Sequence, residues 1–215
     1  MIGIVRKWAI VTTVFALVLN ALSLYMVFFH APVEARMGHV QKIFYYHVPC
    51  AVSAYVLLFV AFTASAAFLW KGARKYDIWA LSSAETGLVF VLCVLTTGPI
   101  WGRSAWGKWW VWEPRLTTFL VLFLMYASYV LMRVFGGKDP KTAKIAAVFS
   151  IIAFMDVPLV NRAIAWWGSA VHPREVTLDP WMKETLLVSF PAVLLLAAAI
   201  LLWRVHLACL EAEGT

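Results

Sequence analysis

Trp101-Gly102-Arg103-Ser104-Ala105-Trp106-Gly107-Lys108-Trp109-Trp110-Val111-Trp112-Glu113-Pro114-Arg115-Leu116-Thr117 lies between two long apolar segments, and that placement decides the fold. Residues 79–100 on one side and 116–134 on the other are each close to the roughly 20 residues that cross a hydrocarbon core at 1.5 Å per residue. Working outward, residues 8–29, 48–70, 145–160 and 185–203 form four further segments of the same kind. The segment 145–160 is the shortest, and Asp156 interrupts it. With 63% hydrophobic and 13% charged residues in 215, the chain is far too apolar for an ordinary soluble domain. The six segments use most of its length. The expectation is an all-α integral membrane protein of six transmembrane helices, with residues 1–215 forming a single membrane domain. The first segment follows Arg6 and Lys7 as a secretory signal would. Its apolar run of 22 residues exceeds the roughly 7–15 of a signal core. No small-residue cleavage site follows at once, so it reads as a retained helix.

Lysine and arginine in the connections set the expected orientation. With the N-terminus cytoplasmic, the inner segments carry Arg6, Lys7, Lys71, Arg74, Lys75, Arg133, Lys138, Lys141, Lys144 and Arg204. The outer loops carry Arg36, Lys42, Arg103, Lys108, Arg115, Arg162, Arg174 and Lys183. Ten against eight is a narrow margin, but the inner connections are much shorter and their positive charge is denser. The net charge of +7 is then explained by lipid headgroups and topology rather than by nucleic acid. Cys50, Cys93 and Cys209 lie far apart with no CxxC or CxxCH spacing, which points to small core residues.

The outer loops hold the chemistry. Five of the twelve tryptophans fall in the twelve positions 101–112, and eight fall in the second and third outer loops together. Trp8, Trp70, Trp79 and Trp203 sit singly near inner span ends, as an interfacial belt requires. A belt does not account for five indoles in one loop. Within the spans, Glu85 and Asp156 are the clear carboxylates, both nearer an end than the midplane, and no lysine, arginine or histidine is central. Proton relays and ion-coupled carriers need such groups at depth. The spans therefore read as a scaffold for chemistry at the outer surface.

Indoles offer the largest flat apolar faces of any side chain. Mixed with arginine, lysine and a carboxylate at a membrane edge, they suit a planar ligand that is apolar in the middle and charged at its rim, such as haem. If the second loop is helical, Trp106, Trp109, Trp110 and Glu113 share one face. Pro114 suits a first helical turn, placing Glu113 at the start of the fourth span, where the alternative is a dense aromatic belt with Glu113 as an N-terminal cap. His47 and His172 each sit at the outer boundary beside proline and aromatics. Neutral imidazoles are good axial ligands for haem iron, although either residue could be a hydrogen-bonded loop histidine. His30 and His39 compete with His47 in the first loop, whereas His206 reads as a helix-terminus residue. Arg103, Lys108, Arg115 and Arg174 are candidates for the haem propionates or for lipid headgroups.

The run Trp106-Gly107-Lys108-Trp109-Trp110-Val111-Trp112-Glu113-Pro114-Arg115-Leu116-Thr117, preceded by Trp101-Gly102, resembles the tryptophan-rich WWD signature of haem-handling proteins in cytochrome c biogenesis. Tyr46-His47-Val48-Pro49 and Trp166-Trp167-Gly168-Ser169-Ala170-Val171-His172 are similar to the histidine motifs flanking that signature in the haem exporter protein C (CcmC) family. Asp179-Pro180-Trp181-Met182 resembles a patch after the second histidine there. Length, span number and motif order agree over essentially the whole chain. The larger relatives CcmF and CcsA share the loop but usually carry more spans. The resemblance implies that His47 and His172 are axial ligands of a non-covalent haem b. It also implies a porphyrin cradle of Trp101, Trp106, Trp109, Trp110, Trp112, Glu113, Arg115, Trp166 and Trp167 on the periplasmic face of a bacterial inner membrane. Implied partners are the haem chaperone CcmE, the transporter subunits CcmA and CcmB, and the small subunit CcmD. The family's usual aspartate after the last tryptophan is Glu113 here, one methylene longer.

No residue set supplies a nucleophile or acid/base pair for breaking substrate bonds, so a haem-delivery protein rather than an enzyme is expected. A membrane electron-transfer protein with b-type haem is a second class, but such proteins place histidine pairs deep inside helices. A haem-free assembly scaffold, with the indoles as a docking surface, is a third.

Overall fold

A computed structural model describes residues 2–137, 139–169, 171–172 and 177–213. Its helices are α1 (Ile2–Tyr25), α2 (Phe44–Lys71), α3 (Arg74–Trp106), α4 (Pro114–Phe135), α5 (Pro140–Phe154), α6 (Asp156–Trp167) and α7 (Pro180–Glu213). Six stretches are long and apolar enough to cross a bilayer, with α5 and α6 together making the fifth. No strand occurs among the described residues.

The helices run past the limits that hydropathy alone suggests. The second span, expected at 48–70, extends over His39–Lys71. Hydropathy marks where apolar side chains stop, whereas a helix continues until its backbone hydrogen bonding is interrupted. Gly72 interrupts α2 by taking a left-handed conformation (φ +66°) and returning its N–H to the Phe68 carbonyl at 2.8 Å. Pro140 and the Asp139 side chain, which accepts from the Lys141 and Thr142 N–H groups, start α5. The break in the fifth span has a local cause. Pro158 would drive its ring into the carbonyl four residues earlier, that of Phe154, where α5 ends. As the third residue of α6 the same proline has no donor to lose. Asp156 sits buried at this break, with Oδ2 unpartnered.

Apolar helices in lipid gain little from burying more apolar surface, so close packing of small residues and polar bridges must hold them. Ala9, Ala16 and Ser23 recur at seven-residue spacing on α1, all buried, along the side that packs on α7. Ser23 and Ser189 hydroxyls meet at 2.9 Å, Asn20 donates to the Ala192 carbonyl at 2.8 Å, and Trp203 donates to Thr13 at 3.0 Å. The α2–α3 hairpin closes over Gly87, where an added Cβ would lie 2.7 Å from Leu58 Cδ2. Near the end that carries the chain termini, Arg133 forks onto Asp77 (2.5 and 2.9 Å) and Arg204 Nε meets Glu85 at 2.6 Å. At the opposite end, the connections before α2, between α3 and α4, and before α7 converge on one cavity.

Candidate functional site

The tryptophan-rich segment is not one helix. Gly107 turns left-handed (φ +74°) and its N–H returns to the Arg103 carbonyl at 3.1 Å, closing α3 after Trp106. Pro114 blocks the alternative, because helix continued through it would press its ring on the Trp110 carbonyl. Residues 108–113 are therefore not helical, and the single helical face of Trp106, Trp109, Trp110 and Glu113 does not form. The indoles gather by tertiary packing instead. Trp101 and Trp106 meet edge to face at 5.4 Å, and Trp110 and Trp112 at 5.6 Å. Gly102 makes this possible, since a Cβ there would lie 2.9 Å from the Trp106 ring.

Trp101, Trp106, Trp109 and Trp110 form one side of a cavity of about 600 Å³, inside the range of roughly 300–1,000 Å³ usual for ligand pockets. The opposite walls come from α2 (His47, Tyr55), α4 (Arg115, Phe119), α6 (Val160, Asn161) and the segment around Leu178 and Met182. Trp101 is held by Gln41, a buried side chain that accepts its indole N–H at 3.2 Å.

Both histidines line this cavity. His47 is the fourth residue of α2, so it sits on a helix rather than in the preceding loop. Its Nδ1 lies 2.8 Å from Thr97 Oγ1, and that hydroxyl donates its own hydrogen to the Cys93 carbonyl at 2.7 Å. Thr97 is thus left as acceptor, Nδ1 carries the proton, and Nε2 keeps a free lone pair. His172 reaches the same state by another route. Its Nδ1 donates to Glu113 Oε1, a carboxylate that can only accept, and its Nε2 has no partner among the described residues. Burial and the nearby Arg115 charge hold the His172 imidazole below its ordinary pKa, although the bond to Glu113 pulls the other way. A neutral ring with an available nitrogen results.

Glu113 does not cap α4 with its side chain. It is 5% exposed and lies behind His172, where its second oxygen accepts from Ser169 Oγ. Ser169 Oγ in turn accepts the backbone N–H groups of His172 at 2.7 Å and Val171 at 3.1 Å. Trp106 meets the His172 ring edge to face at 5.1 Å.

Two further polar groups lack acceptors among the described residues. Arg115 lines the cavity, and its guanidinium has no acceptor among the described residues. Trp110 Nε1 is buried without an acceptor. Two imidazoles with free Nε2, aromatic walls, an unpaired guanidinium and an unsatisfied N–H fit an iron porphyrin bearing carboxylates. Among the described residues no cluster of three or more His, Cys, Asp or Glu could hold a bare metal ion.

Other expected contacts lie elsewhere. Trp112 is 75% exposed and does not line the cavity. Trp166 and Trp167 end α6 with their rings packed edge to face at 5.7 Å and turned outward, because the helix continues through both and Gly168 (φ +76°) reverses the chain only afterwards. His30 pairs with Glu184 at 3.2 Å and packs on Trp181, while His39 opens a short turn before α2. The Arg103 guanidinium bonds the Gly107 carbonyl, Lys108 is exposed, and Arg174 lies outside the described residues. Thr97, Ser169, Gln41 and Asn161 were not anticipated. Thr97 had a signal: His47 lies 25 residues before Gly72 and Thr97 25 after it, so an antiparallel hairpin at Gly72 sets them side by side.

Comparison with known proteins shows the family. The profile of the family described as heme exporter protein C matches residues 1–215. The chain belongs to the heme exporter protein C family. Heme exporter protein C of Rhodobacter capsulatus is 32% identical over 170 residues, covering 79% of this chain and 69% of that protein. The protein of the same name from Bradyrhizobium diazoefficiens is 30% identical over 216 residues, covering 97% and 78%. That of Escherichia coli is 29% identical over 181 residues, covering 82% and 73%.

Proposed function

We propose that this chain holds haem for export in c-type cytochrome biogenesis, binding b-type haem non-covalently and delivering it to the chaperone CcmE. In this reading it works beside CcmA, CcmB and CcmD in a bacterial inner membrane, with the cavity opening to the periplasm. Haem is cargo here. Membership of the heme exporter protein C family supports a role in haem handling. Short, positively charged connections at the end opposite the cavity support the orientation.

One observation carries the binding site. His47 and His172 come from separate elements, line one cavity, and each has Nδ1 engaged by an acceptor and Nε2 free. The tautomer is thereby set before a ligand arrives, and the nitrogen that binds iron is the one left open. The indoles exclude water and present flat faces to the macrocycle. Arg115 and the Trp110 N–H are placed for propionate oxygens, with Arg115 offering a charge-assisted pair.

The test is the absorption spectrum of the purified protein, oxidised and reduced, after loading with haem. The expected spectrum is low-spin and six-coordinate, and His47→Ala and His172→Ala should each alter it. An unchanged spectrum in both variants would remove the axial assignment. No Soret absorption after expression with ample haem would favour the scaffold reading.

A further inference from the structure

The two histidines are alike in tautomer but unlike in what stands behind them. Behind His172 is a buried carboxylate, Glu113, fixed on its far side by Ser169. A carboxylate accepting the Nδ1 proton gives an imidazole partial imidazolate character, which strengthens Nε2 as a donor to iron and locks the ring. The histidine's own backbone N–H is tied to the same serine, and Trp106 packs on its ring. Behind His47 stands only the neutral Thr97 hydroxyl, whose hydrogen is committed to the Cys93 carbonyl. That acceptor fixes the tautomer but adds no charge.

We propose that the two axial positions are unequal by construction: His172, held by Glu113 and Ser169, is the retained ligand, and His47 is the ligand exchanged when an incoming donor takes the haem. This rests on the function proposed above. A cargo held by two equally strong ligands would be slow to leave. A strong ligand opposite a weaker one keeps the iron oriented while one coordination position turns over. Glu113 and Ser169 are thus positioning residues that act through His172, and Thr97 does the same, more weakly, for His47.

The experiment uses the purified full chain loaded with haem, with imidazole and carbon monoxide as probes. His47→Ala is expected to keep its haem as a five-coordinate, high-spin form that added imidazole returns to low spin. His172→Ala is expected to retain far less haem than His47→Ala does. Glu113→Gln should lower retention about 10- to 100-fold, the usual scale when a ligand's supporting partner is lost, and raise the reduction midpoint, because less negative charge then reaches the iron, while Ser169→Ala, which unties the carboxylate and the histidine backbone, should lower retention as well. Glu113→Asp, which keeps the carboxylate, should recover most of both properties. Thr97→Val should leave retention within about threefold of wild type while speeding displacement by imidazole.

Equal loss of haem in the two histidine variants overturns the inference. So does a midpoint unmoved by Glu113→Gln in protein that elutes as wild type does. If the wild-type protein takes up no low-spin haem, the proposed function fails, and the inference with it. If wild type is low-spin but the two ligands prove equivalent, only the inference fails.

Discussion

Arg115 gives a test that separates recognition of the haem rim from general integrity of the pocket. Its guanidinium lines the cavity beside both histidines and has no acceptor among the described residues. A partly buried cation without a partner is a cost to the empty protein, repaid when a carboxylate arrives. A hydrogen bond to a charged group contributes about 1.5–3 kcal/mol, a factor of about 10 to 150 in affinity. The open mouth of the cavity places the expected effect toward the lower end of that range.

The assay is titration of haem-depleted protein in detergent, followed at the Soret band, with iron protoporphyrin and in parallel with its dimethyl ester. Wild type should favour the free acid by about tenfold or more. Arg115→Gln should abolish that preference by weakening the acid alone, with ester affinity unchanged. The haem-free variant should be at least as thermally stable as wild type, since the orphaned charge is gone. Arg115→Lys should fall between, because an ammonium cannot make the two-pronged contact. If Arg115→Gln keeps the full preference, propionate recognition lies elsewhere. If it loses acid and ester equally, Arg115 serves the architecture and not the ligand.

Two smaller perturbations probe the packing that builds the pocket. Gly102→Ala puts a methyl group 2.9 Å from the Trp106 ring, which must move away from both α3 and His172. Haem occupancy should drop and tryptophan emission shift while membrane insertion is unaffected, and unchanged occupancy would remove Trp106 from the cradle. Gly87→Ala forces a contact of 2.7 Å with Leu58 in the α2–α3 hairpin. Overpacking of this kind costs about 1–3 kcal/mol, so the melting temperature in detergent should fall and shortening Leu58 in the same chain should restore part of it.

The architecture was legible because a bilayer imposes one dominant pattern, and apolar runs of the right length announce themselves. The ends of α3 and α5 were not, since Gly107 and Pro158 set them through backbone geometry and steric overlap rather than through polarity. His47 likewise moved from the first outer loop onto the first turn of α2, because the helix starts before the apolar run does. Helix ends also separated tryptophans that look equivalent in sequence. Trp106 and Trp110 border the cavity because Gly107 ends a helix between them, whereas Trp166 and Trp167 point outward because α6 runs through both.

Glu113 shows where reading by local pattern stops. A carboxylate just before a proline at a helix start is the usual description of a cap, and the backbone does take that place: the Thr117 N–H bonds the Glu113 carbonyl at 2.9 Å. The side chain cannot serve both the helix end and His172. Ser169, 56 residues later, decides the matter by occupying one carboxylate oxygen and leaving the other for the imidazole. Nothing within a few residues of Glu113 encodes that choice. It depends on Gly168 turning the chain back over the cavity, so that a serine and a histidine three residues apart meet one carboxylate. The extra methylene relative to the family's usual aspartate is thus a question of reach toward this pair, and Glu113→Asp measures it.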